Sequence, residues 1–211
     1  MLLLLIQFKP IYFQINDNVL TTVSNIIVSD RNIIKKAQSS TQSSTTILKI
    51  IDDMAEKLGD IAAAANRTIS IETKKPNVAL TVKYSQPVDF DVVGIQSTNG
   101  NLSLSFNDTY NEAVLASAKI PAETFKNKNQ IVRSFLFRND ILFQSKNYQN
   151  KDQIENNKLS SKILAVSVGK EKIQNLASPI QLNFKIEKIS PKELQTIENI
   201  CSFWDPTVCK F

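Results

Sequence analysis

Two periods of hydrophobicity divide the chain. From Asn18 to about Ala65, apolar residues recur at three- and four-residue spacing. Ile47, Ile50 or Ile51, Met54 and Leu58 form one stripe, and the polar DDMAEK stretch lies on the other side. That is how an amphipathic helix hides one face against a neighbour. An earlier helix is expected over Asp30–Gln38, with the run SSTQSSTT at Ser39–Thr46 as connector and as N-cap of the next helix. Residues 1–17 are poorly determined by the pattern.

After AAAANRT the period becomes two. Ile69 and Ile71, Val78, Leu80 and Val82, Phe90 and Val92, Leu102, Leu104 and Phe106, and Phe135 and Phe137 each alternate with polar residues. Half-buried antiparallel strands have this pattern. The clearest case is IQLNFKIEKI, where Ile180, Leu182, Phe184 and Ile186 share one face. Before it, KILAVSVGKEKIQN reads as a strand turning at Gly169 and Lys170, so the two stretches are expected to form a hairpin. Turn signals at Gln86-Pro87, Thr98-Asn99-Gly100 and Arg138-Asn139-Asp140 separate the strands. The fold class expected is α+β: an N-terminal helical segment over 18–65, then an antiparallel β-sandwich over 66–200. No internal repeat is visible.

Composition narrows the chemistry. The 211 residues are 42% hydrophobic and 21% charged, enough to bury a core. The net charge of +5 comes mainly from scattered lysines. Without a clustered basic track this is a solvated surface, and no nucleic-acid partner is expected. Histidine is absent, which removes the commonest base near neutral pH and the commonest metal ligand. Two cysteines without histidine do not complete a tetrahedral zinc site. The four glycines form no phosphate-cradling motif. Among carboxylates, Asp52 and Asp53 are adjacent on a helix and point about 100° apart, so they read as a solvated face. Asp89 and Asp91 share a strand face that reads as polar-out. No catalytic residue, cofactor or metal is expected.

Leu2–Ile6 is an apolar run ended by Lys9 and Pro10, too short to span a bilayer, which takes roughly 20 residues. It lacks the basic flank and small-residue cleavage site of an export signal. Signal and internal segment both remain open readings, and no other stretch could cross a membrane. Glycosylation sequons occur at Asn66, Asn101 and Asn107. The last eleven residues, CSFWDPTVCKF, hold both cysteines and the one tryptophan. Cys201 and Cys209 would be crosslinked in an exported protein and reduced in a cytosolic one, and Pro206 limits the loop between them.

From about Asn18 to Phe211 the chain resembles the GAIN domain with its GPS motif, found in adhesion G-protein-coupled receptors and in polycystin-like proteins. The segment from NVLTTVSNIIVSD to IIDDMAEKL is similar to the end of the helical subdomain, and ISIETKKPNVALTVKY to the first sandwich strands. IVRSFLFRNDILFQSK resembles the central strand pair, KILAVSVGKEKIQNLASPIQLNFKI the approach to the GPS, and CSFWD its opening. The resemblance implies that Phe203 and Trp204 are structural GPS residues, with Trp204 packed under the sandwich, and that Cys201 and Cys209 are disulfide cysteines, self-paired or linked beyond Phe211.

In the family, further cysteines, a second tryptophan and a His-Leu-Thr or His-Leu-Ser cleavage tripeptide follow, then a last strand and a membrane bundle. Histidine acts there as base and the hydroxyl residue attacks the preceding carbonyl. On this resemblance the chain is a C-terminally truncated GAIN-like segment, a gene-model fragment or a short secreted isoform. It would lie outside the cell or at its surface and would not cut itself. Its partners would be its own C-terminal strand, the membrane bundle of the parent receptor and an extracellular protein ligand.

The alternatives are a free-standing secreted β-sandwich that binds protein, and an intracellular protein similar by convergence. If the family-type crosslinks run to cysteines past Phe211, their loss would remove roughly 2 to 4 kcal/mol each from a total of roughly 5 to 15 kcal/mol. The isolated chain is therefore expected to be marginal or aggregation-prone, which a cooperative, reversible melt of the monomer at high temperature would contradict.

Overall fold

Three helices lead the chain: α1 (Leu2–Ile26), α2 (Arg31–Thr41) and α3 (Ser43–Ala64). The structure is a computed structural model and describes residues 2–64, 70–106, 114–143, 161–170 and 173–186. α1 extends through the stretch before Asn18 that the pattern leaves undetermined. α2 is capped by Asp30, which the pattern places inside the helix: its carboxylate accepts a hydrogen bond from the Asn32 amide at 2.7 Å.

The Ser/Thr run is not a connector. Ser39, Ser40 and Thr41 donate their hydroxyls back to carbonyls of Lys36 and Ala37 at 2.8–3.0 Å and stay helical. The break between α2 and α3 is the single residue Gln42, held in the left-handed region at φ 54°. The first amides of α3 are capped from the helix before. Gln38, buried under α2, accepts from the Ser44 and Thr45 amides at 2.9 and 3.2 Å and donates to the Thr45 hydroxyl at 3.0 Å. Neighbouring serines could not do this while bonded to their own helix.

Eight strands follow: β1 (Ser70–Lys74), β2 (Val78–Ser85), β3 (Phe90–Gln96), β4 (Leu102–Phe106), β5 (Val114–Ile120), β6 (Gln130–Phe137), β7 (Ile163–Val168) and β8 (Gln181–Phe184). They make two antiparallel sheets, β1-β2-β6-β7 and β4-β3-β5-β8. The first is the middle of three layers. Val78, Leu80, Val82, Phe135 and Phe137 face the helices and pack with Leu20, Val23, Ile51, Ala55 and Leu58. On the opposite face, Ala79, Val132, Leu136 and Val168 pack with Phe90, Val92, Leu104, Ala116 and Ala118 of the second sheet.

The middle sheet therefore departs from the expected polar-out alternation. Thr81 and Ser134 are paired across β2 and β6 with no exposure. The outward face of the second sheet is not uniformly solvated either, since Val93 and Ser117 on it are fully buried.

Two close approaches set the layer spacing. A Cβ on Gly59 of α3 would lie 2.3 Å from Cγ2 of Ile131, and one on Gly94 of β3 would lie 2.8 Å from Cδ2 of Leu136. β5, VLASAKI, is the strand that the alternation does not reveal. Its inward residues, Ala116 and Ala118, are small, and Ala116 pairs with Gly94 where the sheets come closest.

The expected hairpin is also absent. β7 pairs with β6 in the middle sheet and β8 with β5 in the second, so the chain after Gly169 (φ 66°) crosses from one sheet to the other. An alternating pattern marks a strand and its two faces, but it does not name the partner.

Candidate functional site at the open side of the sandwich

β7 and β8 each end a sheet, and among the described residues neither has a second strand beside it. Register defines what they present. Leu182 stands opposite Ala118 and Phe184 opposite Ala116, so both point inward with those alanines. Ala118 has no exposure, yet Leu182 is 54% exposed. Ile180 and Ile186, on the same face by alternation, are 38% and 49% exposed. Across the gap, Leu164 and Val166 of β7 pack on the inter-sheet core and are only half-buried. The described sandwich is therefore open along one side, with apolar inner-face residues and two strand edges at the opening. Such an arrangement fits the uptake of another extended segment.

The open side is held in place by a residue that the sequence did not single out. The carboxylate of Glu123, in a short 3-10 turn (Ala122–Phe125), accepts hydrogen bonds from the Ala177 and Ser178 amides and fixes the lead into β8. Those two backbone donors, Ser178 first, lower the Glu123 carboxyl below its ordinary value. The turn is itself anchored by Phe125, fully buried edge-on to Phe90 at 5.7 Å, and by Asp89, which accepts from the Ala122 amide at 2.7 Å. Beyond β8, the Lys185 amide donates to Leu115 at 2.9 Å. Pro121 two residues ahead of Glu123 is the one local signal that could have marked this turn.

A second polar cluster ties the helices to the middle sheet. Arg133 of β6, 11% exposed at its side chain, lies 3.3 Å from Asp52 and 3.8 Å from Glu56 of α3, and donates to the Ser167 hydroxyl at 3.1 Å. Lys170, just past β7, reaches Glu56 at 2.5 Å and Asp60 at 3.5 Å. Its hydrogen bond and charge draw the Glu56 carboxyl below its ordinary value, and Glu56 in turn raises Lys170. Asp52 therefore belongs to an ion-pair network, while Asp53 stays exposed.

Asn101 sits half-buried at the turn before β4, its carbonyl accepting from the Ser97 amide at 2.9 Å. Asn66, Asn107, Cys201, Phe203, Trp204 and Cys209 lie outside the described residues.

The match to known proteins falls on this same part of the chain. The family model for GPS, GAIN subdomain B, covers residues 87–210, from the lead into β3 through β8 and beyond. The chain belongs to the GAIN subdomain B family. The resemblance in the fold reaches further than that span, to the helical layer. The full extracellular region of zebrafish Gpr126/Adgrg6 superposes with a TM-score of 0.68 over 90% of this chain at 22% identity. This chain corresponds to 24% of that one, so it spans about a quarter of its length. The helices-then-sandwich order of the GAIN domain is thus present, and no helix among the described residues is long and apolar enough to cross a membrane.

Proposed function

We propose that this GAIN domain works as an extracellular, non-cutting holder of an extended segment in an adhesion-receptor-like protein. The observation that carries the reading is Leu182, which points into the sandwich beside a fully buried alanine and is nonetheless half exposed. An added strand at that edge gains backbone hydrogen bonds and covers Ile180, Leu182 and Ile186 in one step. The 211 residues contain no histidine, so the imidazole base that the family's self-cleavage resemblance requires is not supplied from within them. An extracellular place, crosslinked Cys201 and Cys209, and glycans on Asn66, Asn101 and Asn107 follow from the same reading. In this role the domain acts mechanically: the segment stays seated until force or a ligand withdraws it.

The test uses the 211-residue chain and a probe peptide of about ten residues with apolar side chains at alternate positions, the length of a strand. Hydrogen–deuterium exchange should show new protection at the amides of β7 and β8. Leu182→Asp should abolish that protection while lowering the denaturation midpoint only a little, because about half of the side chain is already in water. Protection elsewhere, or none, would sink the holder. Intact mass spectrometry of the purified protein should give one uncut chain, and a cut at a single defined bond would refute the non-cutting part. The same open edge also suits a free-standing secreted module that borrows a strand from another protein. Capture of a partner's strand at β8, with no family-type strand in the parent gene, would favour that reading.

A further inference from the structure

The turn between β3 and β4 holds the one asparagine of the chain that a glycine follows, Asn99-Gly100. We propose that this pair is a self-modifying site: the Asn99 side chain passes through a cyclic imide to aspartate and isoaspartate, and the isoaspartate product loosens the joint between the two sheets. This goes beyond the strand-holding reading and does not depend on it.

The chemistry needs only the chain, hydroxide and water. Hydroxide removes the proton of the Gly100 backbone amide, and its nitrogen attacks Cγ of Asn99. A bond forms between that nitrogen and Cγ, the bond from Cγ to Nδ2 breaks, and the side-chain nitrogen takes a proton from water and leaves as ammonia. Water then opens the imide at either of its two carbonyls, which leaves aspartate or isoaspartate at this position.

The fold supplies the arrangement. Oδ1 of Asn99 accepts a hydrogen bond from the Asn101 amide at 3.3 Å and another from the Ser97 hydroxyl. The Asn101 amide lies one residue beyond the attacking nitrogen, so the side chain is folded forward across it, as an intramolecular attack requires. Both donors sit on the oxygen that carries the negative charge of the tetrahedral intermediate, and donors placed there in advance lower the barrier. Gly100 leaves its nitrogen unscreened: it has φ 85°, and a Cβ there would meet nothing within 4 Å. Asn99 is itself exposed and so open to hydroxide and water. The Gly100 amide donates to the Ser97 carbonyl at 2.9 Å, so attack follows a local opening of that one bond.

The position gives the change a structural consequence. Arg138, just past β6, donates from Nη2 to the Gly100 carbonyl and from Nε to the Pro76 carbonyl, each at 2.7 Å. The Leu102 amide donates to the Lys75 carbonyl at 3.0 Å. The turn thus ties the second sheet to the middle one. Aspartate keeps the oxygen that Ser97 and Asn101 bond. Isoaspartate runs the main chain through the side-chain carbonyl and lengthens it by a methylene, which puts the turn bonds out of register.

The experiment incubates the folded 211-residue chain at neutral and at mildly alkaline pH and maps its peptides by mass spectrometry, with fragmentation that separates aspartate from isoaspartate. Asn99 should be the first asparagine converted, isoaspartate should be among the products, and the rate should rise with hydroxide. Ser97→Ala keeps the backbone bonds of the turn and removes one donor, and should slow the conversion about threefold to tenfold, less than in a closed site because this turn is solvated. Asn99→Asp should melt with the parent chain, whereas the isoaspartate form, separated by chromatography, should melt lower. Another asparagine reacting before Asn99, a rate indifferent to hydroxide, or conversion in Ser97→Ala as fast as in the parent overturns the proposal. So does an isoaspartate form as stable as the parent.

Discussion

Gly59 marks the point where α3 comes closest to β6, and its missing side chain is a packing requirement. The atom that a Cβ would meet, Cγ2 of Ile131, sits on a β-branched carbon with a stiff rotamer and does not swing aside. Gly59→Ala is expected to destabilise the protein by about 1 to 3 kcal/mol despite the better helix propensity of alanine. With Ile131→Ala in the background the penalty should shrink or vanish, and a double-mutant cycle of urea midpoints measures it. Gln38 is the other residue whose role only contacts disclose. Gln38→Ala removes the cap from two α3 amides, and a loss of about 1 to 2 kcal/mol is expected, with faster hydrogen exchange at Ser44 and Thr45. If exchange there is unchanged, the cap is not what holds the start of α3.

At the scale of elements, the joins are polar and the faces apolar. α3 docks on the middle sheet through Leu58, Ala55 and Ile51, and the Arg133, Lys170, Glu56 and Asp52 network sits beside that contact. Glu56 has a folded value below the 4.5 of an ordinary glutamate. Its contribution to stability is therefore complete above that ordinary value and is lost as pH falls through the depressed one. Lys170 is raised above 10.5, so its contribution is complete below that value and is lost as pH climbs through the raised one.

The stability gap between the parent chain and Glu56→Gln should accordingly be present at neutral pH and close on acidification below the ordinary glutamate value. Urea midpoints across that range give the answer, and a gap independent of pH would mean that the carboxylate charge is irrelevant there. The strand elements show a different lesson. β7 and β8 are adjacent in sequence and each is a good alternating strand, yet they lie in different sheets, with the lead into β8 held by Glu123.

For the whole molecule, the decisive feature is that one sheet serves two cores. The faces of β2 and β6 bury residues against helices on one side and against the second sheet on the other. Loss of the helical layer would bare Val78, Leu80 and Phe135, and loss of the second sheet would bare Ala79 and Leu136, so the middle sheet needs both layers to keep its two faces out of water. Further ties run from helices to loops: the Asn77 side chain donates to the Ser24 carbonyl at 2.9 Å, and Arg31 pairs with Asp140. Thermal unfolding followed by helix-sensitive and aromatic circular dichroism should give coincident transitions. Two separated transitions would show that the helical layer is an independent unit.

The sequence by itself determined the kinds of element and, β5 and the start of α1 apart, their order. A 3.6-residue stripe in α3 and period-two runs such as Leu102, Leu104 and Phe106 are imposed locally, by which side chains must leave water on one face. It also carried the family, through an ordered set of short segments ending in CSFWD. Tertiary structure alone decided what those faces met. The buried Thr81 and Ser134, the alanine-rich β5 opposite Gly94, the cap from Gln38, the Glu123 anchor and the separation of β7 from β8 all depend on partners distant along the chain. Periodicity reports that a face is apolar; it holds no information on which surface covers it, and at Leu182 the described fold leaves it uncovered.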